Sequence, residues 1–259
     1  MQKTAIIVPC YNESQRLKVN EFLTYLERNN GVSFIFVNDG SIDNTLEILN
    51  QICHAAPDQA LCINLAENGG KAEAVRQGFL KAFELGFEKI GYWDADLSTP
   101  LYLVNRLSEL LENDKIIIVM GSRVRLLGYN IKRLAIRHYL GRIFATFASM
   151  VLGLPVYDTQ CGAKLFKNSS ELRMVFAYPF LVRWIFDVEI LARYKIIIKM
   201  KDAKALENSA LEYPLDEWTD IRGSKLKFID FFKASLELAK IYCVLNFPII
   251  KKKYMEKFR

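Results

Sequence analysis

Asp94 and Asp96 sit at i, i+2 in the stretch Ile90-Gly91-Tyr92-Trp93-Asp94-Ala95-Asp96-Leu97-Ser98-Thr99-Pro100. On an extended backbone that spacing puts both carboxylates on one face. Such a pair repels itself unless a proton or a cation separates it. Hard oxygen ligands with few neighbours suit Mg²⁺ or Mn²⁺ held between protein and a diphosphate. Taken alone, the pair is equally well two solvated acids ahead of a helix, where they favour its positive end. Other residues add polar chemistry. Asp39 in Asn38-Asp39-Gly40-Ser41 can accept hydrogen bonds from a ribose or base, or cap the helix that follows. Gly69-Gly70-Lys71 can offer backbone N–H groups and an ammonium to phosphate, or form an ordinary turn.

These residues need a scaffold that brings them together, and the hydrophobic pattern supplies one. Apolar runs at Thr4–Val8, Phe34–Val37, Leu61–Leu65, Lys89–Trp93 and Ile116–Met120 read as strands. Helical patterns lie between them, from about Gln15 to Arg28, Asn44 to Cys53, Ala72 to Glu84 and Leu101 to Glu112, with Asp43 and Thr99 as candidate caps. Alternation of this kind predicts a mostly parallel sheet with crossover helices, whose strand ends form one ligand-binding edge. Pro9–Glu13, Asn38–Ser41 and Asp94–Asp96 would share that edge. The second half is less regular. Ala163–Phe166, Ile196–Met200 and Ala210–Tyr213 read as extended, and the apolar run 143–156 as a core or lipid-touching helix. A final amphipathic helix from about Leu226 to Leu245 is closed by Pro248 and Lys251-Lys252-Lys253.

Composition is that of a globular protein, 51% hydrophobic and 25% charged over 259 residues. No 18-residue apolar run is free of charge, so no membrane span is expected. Five scattered cysteines make neither a CxxC site nor a disulfide framework, which suits a reducing cytoplasm. The net charge of +6 is uneven: residues 222–259 hold ten Lys/Arg against three Asp/Glu. Residues 115–157 contain no acid but carry Arg123, Arg125, Lys132, Arg133, Arg137 and Arg142. Basic segments of this kind point to an anionic membrane surface in preference to nucleic acid, and no nucleic-acid partner is expected. The expected organisation is a catalytic domain over residues 1–225 and a basic, amphipathic helical appendage over 226–259.

Four segments in register, Val8-Pro9-Cys10-Tyr11-Asn12-Glu13, Val37-Asn38-Asp39-Gly40-Ser41, Asp94-Ala95-Asp96 and Gly121-Ser122-Arg123, resemble the nucleotide-sugar core of inverting glycosyltransferases of family 2. The resemblance implies the α/β fold known as GT-A, the nucleotide-diphospho-sugar transferase fold. Asp158-Thr159-Gln160-Cys161-Gly162-Ala163-Lys164-Leu165-Phe166, Arg183-Trp184-Ile185-Phe186-Asp187-Val188-Glu189, and Trp218 with Gly223-Ser224-Lys225 are similar to the polyprenyl (dolichyl) phosphate glucosyl- and mannosyltransferases, with the β-glucosyl branch the nearer.

Carried over residue by residue, the resemblance implies that Pro9, Tyr11, Glu13 and Asp39 hold the nucleotide. It places Asp94 and Asp96 at a Mg²⁺ or Mn²⁺ ion and the diphosphate, and Arg123 near the substrate phosphates. Gln160, Cys161, Gly162 and Lys164 would line the acceptor side, with Lys71, Trp218 and Lys225 also touching substrate. Asp187 takes the position of a catalytic acidic residue. The loop Asn68-Gly69-Gly70-Lys71 departs from the usual Asn-x-Gly-Lys-Gly in having Ala72 after the lysine.

The implied reaction moves a hexose, glucose first, from a nucleoside diphosphate to polyprenyl phosphate. A phosphate monoester is already ionised near neutral pH, its second pKa being about 6, so a general base is less needed than for a hydroxyl. Asp187 is then either a base or a residue that positions sugar hydroxyls. With neither the N-terminal anchor usual in eukaryotic relatives nor the paired C-terminal spans of many bacterial ones, peripheral attachment at the inner membrane face is expected. Two alternatives stand beside this: a family 2 enzyme acting on a saccharide hydroxyl, and a catalytically silent nucleotide-sugar-binding scaffold.

Overall fold

The computed structural model describes residues 3–132, 135–199, 205–220 and 228–256. Its first half is the expected alternation: β1 (Thr4–Cys10), α1 (Val19–Arg28), β2 (Val32–Asp39), α2 (Thr45–Ala55), β3 (Ala60–Leu65), α3 (Lys71–Glu84), β4 (Lys89–Trp93), α4 (Leu103–Leu110) and β5 (Ile118–Ser122). Then follow β6 (Asn130–Lys132), α5 (Ala135–Leu152), β7 (Ala163–Lys167), α6 (Ser170–Phe176), α7 (Phe186–Lys199), α8 (Ala205–Ser209), β8 (Ala210–Pro214), β9 (Glu217–Thr219), α9 (Phe228–Asn246) and α10 (Pro248–Met255). Seven strands form one sheet in the order β3-β2-β1-β4-β7-β5-β8, and β6 pairs with β9 apart from it. β7 runs antiparallel between β4 and β5, while the remaining neighbours in the sheet are parallel. The strand ends that carry Pro9–Glu13, Asp39 and Asp94 therefore share one edge.

Central strands explain their own composition. β1 and β4 are buried almost throughout, as continuous apolar runs in a sheet covered on both faces must be. Two glycines permit the closest approaches. A Cβ on Gly78 of α3 would lie 2.5 Å from Ile7 of β1, so α3 lies directly against the sheet. A Cβ on Gly91 would lie 2.3 Å from the Lys164 carbonyl oxygen, so β4 and β7 could not pair as they do. On the same face Phe79 stacks on Phe176 with centroids 3.8 Å apart, tying α3 to α6. On the other face Phe22 of α1 meets Phe34 and Phe36 edge-on at 5.1 and 5.2 Å. Each such pair is worth about 1 kcal/mol beyond the area it buries.

Several expectations are corrected. Ile196-Ile197-Ile198 is helical, as the last turn of α7, and all three are buried. A short apolar run does not distinguish a buried strand from a buried helix, and packing overrides β-propensity here. Thr99 does not cap α4: its carbonyl accepts the Trp93 indole N–H at 2.7 Å, and the helix starts four residues later. α1 starts at Val19 because residues 14–17 form a turn closed on the Glu13 carbonyl. Pro248 opens a separate helix, α10, in place of closing α9.

α9 lays Ala234, Leu238 and Ile241 into the main core cluster against α5 and α7. Tyr254 of α10 donates to the buried Glu189 carboxylate of α7 at 2.6 Å, and Arg193 donates to the same carboxylate at 2.7 Å. The C-terminal helices are thus packed on the domain through one face. Among the described residues no helix is long and apolar enough to cross a membrane.

Asp43 ties the first two loops together, accepting from the Ser14 hydroxyl at 2.7 Å and the Thr45 hydroxyl at 2.5 Å, and from both backbone N–H groups. Burial opposes its ionisation, but these hydrogen bonds outweigh burial and hold its pKa down at about 2. A depressed carboxylate stabilises the fold above its ordinary pKa of about 4 and loses that contribution as pH falls through its folded value. Asp43→Ala should therefore lower the unfolding midpoint at neutral pH, with the gap from wild type closing between about pH 4 and the folded pKa of about 2. Urea unfolding across that range checks it, and a pH-independent gap would contradict it.

Candidate active site

A cleft of about 620 Å³ opens at the shared strand edge. Its first wall is the loop after β1, which carries Pro9, Tyr11 and Glu13. Asn12 has φ +51°, and the loop is stitched to the one after β2: Asn12 N–H donates to Ser41 Oγ at 3.0 Å, and Glu13 N–H to Thr45 Oγ1 at 2.8 Å. Asp39 is almost fully buried. Its two oxygens accept the Gly69 and Gly70 N–H groups at 2.8 and 2.9 Å, which fixes the turn that starts α3. Burial raises its pKa, against the lowering effect of those two bonds. An ionised carboxylate has about four acceptor sites, so Asp39 keeps capacity towards the cleft that it also lines.

Asp94 and Asp96 stand on the cleft floor, both partly buried. Asp94 is ion-paired with Lys71 at 2.5 Å. Burial works against the Lys71 charge, but Asp94, Asp187 and Asp96 outweigh it and raise the lysine's pKa. Asp96 accepts the Ser98 N–H at 2.9 Å, and burial followed by the charge of Asp94 pushes its pKa up. Two neighbouring carboxylates repel each other, and a divalent cation relieves that repulsion. No group of three or more acidic, His or Cys side chains suited to a metal occurs among the described residues. Asp94 and Asp96 would suit a hard divalent ion whose remaining ligands come from outside the protein. Gly162 is required beside it, because a Cβ there would lie 1.9 Å from Asp94 Oδ2.

The opposite wall is organised by Asp158. It accepts from one edge of the Arg123 guanidinium, Nε and Nη2, at 2.6 and 2.8 Å, and from the Arg123 backbone N–H at 3.1 Å. Burial opposes the arginine's charge, and Asp158 more than offsets that, raising its pKa. Arg123 also lies 5.3 Å from the Trp218 ring, brought over it by the β6–β9 pair. Glu212 of β8 in turn accepts the N–H groups of Tyr157 and Asp158, at 2.6 and 2.7 Å.

Asp187, at the start of α7, reaches the cleft from below. Its Oδ1 accepts from the Lys164 ammonium at 2.5 Å and from the Tyr92 hydroxyl, and Lys164 also donates to the Cys161 carbonyl at 2.5 Å. Burial, then the charge of Asp187, pushes the Tyr92 hydroxyl pKa well up.

Pro9, Tyr11, Glu13, Asp39, Lys71, Asp94, Asp96, Arg123, Gln160, Asp187 and Trp218 thus line one cleft. Cys161, Gly162 and Lys164 do not line it; they lie beneath it, where Cys161 and Lys164 are buried and Gly162 makes room for Asp94. Lys225 lies outside the described residues. The motif segments contain Tyr92, Asp158 and Arg183 without giving them a role, and Glu212 and Glu237 lie outside those segments. Tyr92 carried a usable signal, since a hydroxyl inside an otherwise apolar buried strand needs a partner. Glu212 and Glu237 carried none.

The profile of the Glycosyl transferase family 2 matches residues 5–172. Dolichyl-phosphate beta-glucosyltransferase ALG5C of Trichomonas vaginalis is 33% identical over 251 residues, covering 92% of this chain and 70% of that protein. The Homo sapiens dolichyl-phosphate beta-glucosyltransferase is 34% identical over 242 residues, covering 87% of this chain and 70% of that protein. The fold matches Mycobacterium tuberculosis glucosyl-3-phosphoglycerate synthase, solved with Mn²⁺, UDP-glucose and glycerol 3-phosphate, at a TM-score of 0.61 and 14% identity. That match covers 94% of this chain and 80% of the other.

The Arg123–Asp158 pair gives a direct stability test. Both side chains are close to buried, 12% and 10% exposed. Asp158→Ala leaves the guanidinium without its carboxylate and should cost about 3 kcal/mol or more, whereas adding Arg123→Met should recover most of the loss. Urea unfolding of the single and double variants reads this, and a double variant no more stable than Asp158→Ala would contradict it.

Proposed function

The chain belongs to glycosyl transferase family 2, and from that premise we propose that it transfers glucose from a nucleoside diphosphate, UDP first, to a polyprenyl phosphate of the dolichyl type. The relatives named for that reaction support the substrate class. The observation in the chain's own geometry that carries the reading is the state of Asp187. Its Oδ1 already accepts an ammonium and a hydroxyl, so that oxygen is committed to holding two neighbours within the protein. A phosphate acceptor arrives ionised and needs no general base. Asp187 acts in this reading by holding its neighbours and orienting the sugar.

The chain's residues then divide the work. Pro9, Tyr11, Glu13 and Asp39 form the wall that receives the nucleoside. Asp94 and Asp96 would hold Mg²⁺ or Mn²⁺, and that ion, when bound, draws charge off the leaving diphosphate. Lys71 and Arg123 add fixed positive charge along the same path, where a preorganised cation stabilises charge as it develops. The acceptor phosphate attacks the sugar C1 as the nucleoside diphosphate leaves.

The surface beside the cleft suits a lipid. α5 lines the cleft with Gly141, Phe144 and Ala145. It also exposes Tyr139, Ile143, Phe147 and Met150 along one side, and α9 exposes Phe232 and Leu236. Peripheral attachment of this face to the cytoplasmic leaflet would bring the acceptor head group to the site. An apolar helix face accompanied by basic segments is the usual device.

The test is a transfer assay with UDP-glucose, Mg²⁺ or Mn²⁺, and a polyprenyl phosphate. UDP release should depend on the lipid phosphate and yield a glucosylated lipid, and Asp94→Ala or Asp96→Ala should abolish both while the protein stays folded. Equal release with saccharide hydroxyl acceptors would favour the polysaccharide reading, and no release with any common donor would favour a silent binding protein.

A further inference from the structure

Most cations of the cleft are already paired within the protein. Lys71 meets Asp94, Arg123 meets Asp158, and beneath the floor Lys164 meets Asp187. Arg183 differs. Its side chain lines the cleft and is exposed; it makes no close ion pair and no side-chain hydrogen bond among the described residues, and the acid its charge acts on is Asp39. Its guanidinium lies over Gly70, so close that a Cβ there would be 3.3 Å from both Nε and Nη2. Gly70, at φ +88°, is also the residue that caps α3 just before Lys71.

The backbone that carries Arg183 is held from elsewhere. Glu237 of α9 accepts the N–H groups of Arg183, Trp184 and Ile185 at 3.1, 3.0 and 3.1 Å. Ile185 stands directly before α7, and Arg183 and Trp184 lie in the segment that leads into it. A carboxylate taking several N–H groups makes charge-assisted bonds, stronger than neutral ones. Glu237 is itself fixed, since Ala234 and Leu238 on either side of it are packed into the core.

We propose that Arg183 is the cation that meets a substrate phosphate, and that Glu237 is the positioning residue that holds it over Gly70. This rests on the glycosyl-transfer reading above. The chemistry recognised is a phosphate oxyanion, supplied by either the nucleoside diphosphate or the lipid phosphate. A guanidinium with no hydrogen-bonded partner, set beside a glycine turn, suits both, since its planar fork matches phosphate geometry.

Two readouts separate the sources: calorimetric affinity for UDP with Mn²⁺, and the KM for polyprenyl phosphate in turnover. Arg183→Met should weaken one of them by roughly tenfold to 100-fold, as expected for a hydrogen-bonded charge contact. A loss in UDP affinity assigns the donor diphosphate, and a rise in lipid KM alone assigns the acceptor. Glu237→Ala should impair the same parameter, and Glu237→Gln, whose amide oxygen still accepts, should recover part of it. The double variant Arg183→Met/Glu237→Ala should be no worse than Arg183→Met alone. Where Glu237→Ala does not fold, Glu237→Gln and Arg183→Met carry the test. Unchanged UDP affinity and lipid KM in Arg183→Met would overturn the inference, as would additive losses in the double variant. A wild type that binds no nucleoside diphosphate and transfers nothing would overturn the reaction itself. A functioning wild type with an indifferent Arg183→Met overturns only this assignment.

Discussion

The ion pair between Lys164 and Asp187 is the constraint on which the site depends. It joins β7 to α7, and through the Tyr92 hydroxyl it reaches β4, so three elements meet at one carboxylate beneath the cleft. The side chains are only 1% and 6% exposed. A pair this deep contributes little net stability over an apolar equivalent, but removing one partner strands a charge and costs about 3–5 kcal/mol. The arrangement therefore specifies geometry more than it adds stability. It also bears on role: the Asp187 oxygen that meets the ammonium and the hydroxyl is committed to holding them.

The same logic runs through the rest of the cleft. Cations and acids are paired before substrate arrives: Lys71 with Asp94, and Arg123 with Asp158, itself held by Glu212. Preorganisation of this kind removes the cost of reorienting dipoles when charge develops. One wall of the cleft is built by the first half of the sheet, and the opposite wall by β5, β8, β9 and the start of α7. α9 belongs to that second wall, since Ala234 lines the cleft and Glu237 holds its loop. The C-terminal helix thus has a packed face joined to the site and an exposed apolar face towards the surroundings.

What was legible in the sequence was whatever is local. Strand ends carrying Pro9–Glu13, Asp39 and Asp94–Asp96 were visible because period and punctuation are short-range signals, and the resulting edge is where they meet. What was not legible depends on contacts between distant segments. Asp39 was read towards ligand, yet its oxygens are first used on Gly69 and Gly70, thirty residues on. Lys164 was read towards the acceptor, yet β7 turns its side chain under the floor to Asp187. Ile196–Ile198 carries β-branched side chains that suit a strand, and burial in α7 overrode that preference. Glu237 takes its role only from the fold, which sets it opposite three backbone N–H groups.

The central claim is that transfer needs no base at Asp187, and neutralising the whole pair tests it most directly. Lys164→Met with Asp187→Asn removes both charges together, while the amide oxygen still accepts the Tyr92 hydroxyl, so no buried charge is stranded. With UDP-glucose and polyprenyl phosphate, the account predicts a folded protein that retains turnover within roughly tenfold of wild type. A general base contributes about 10²–10⁴-fold. A double variant that folds and binds UDP as wild type does, yet loses turnover by that factor, would contradict the account.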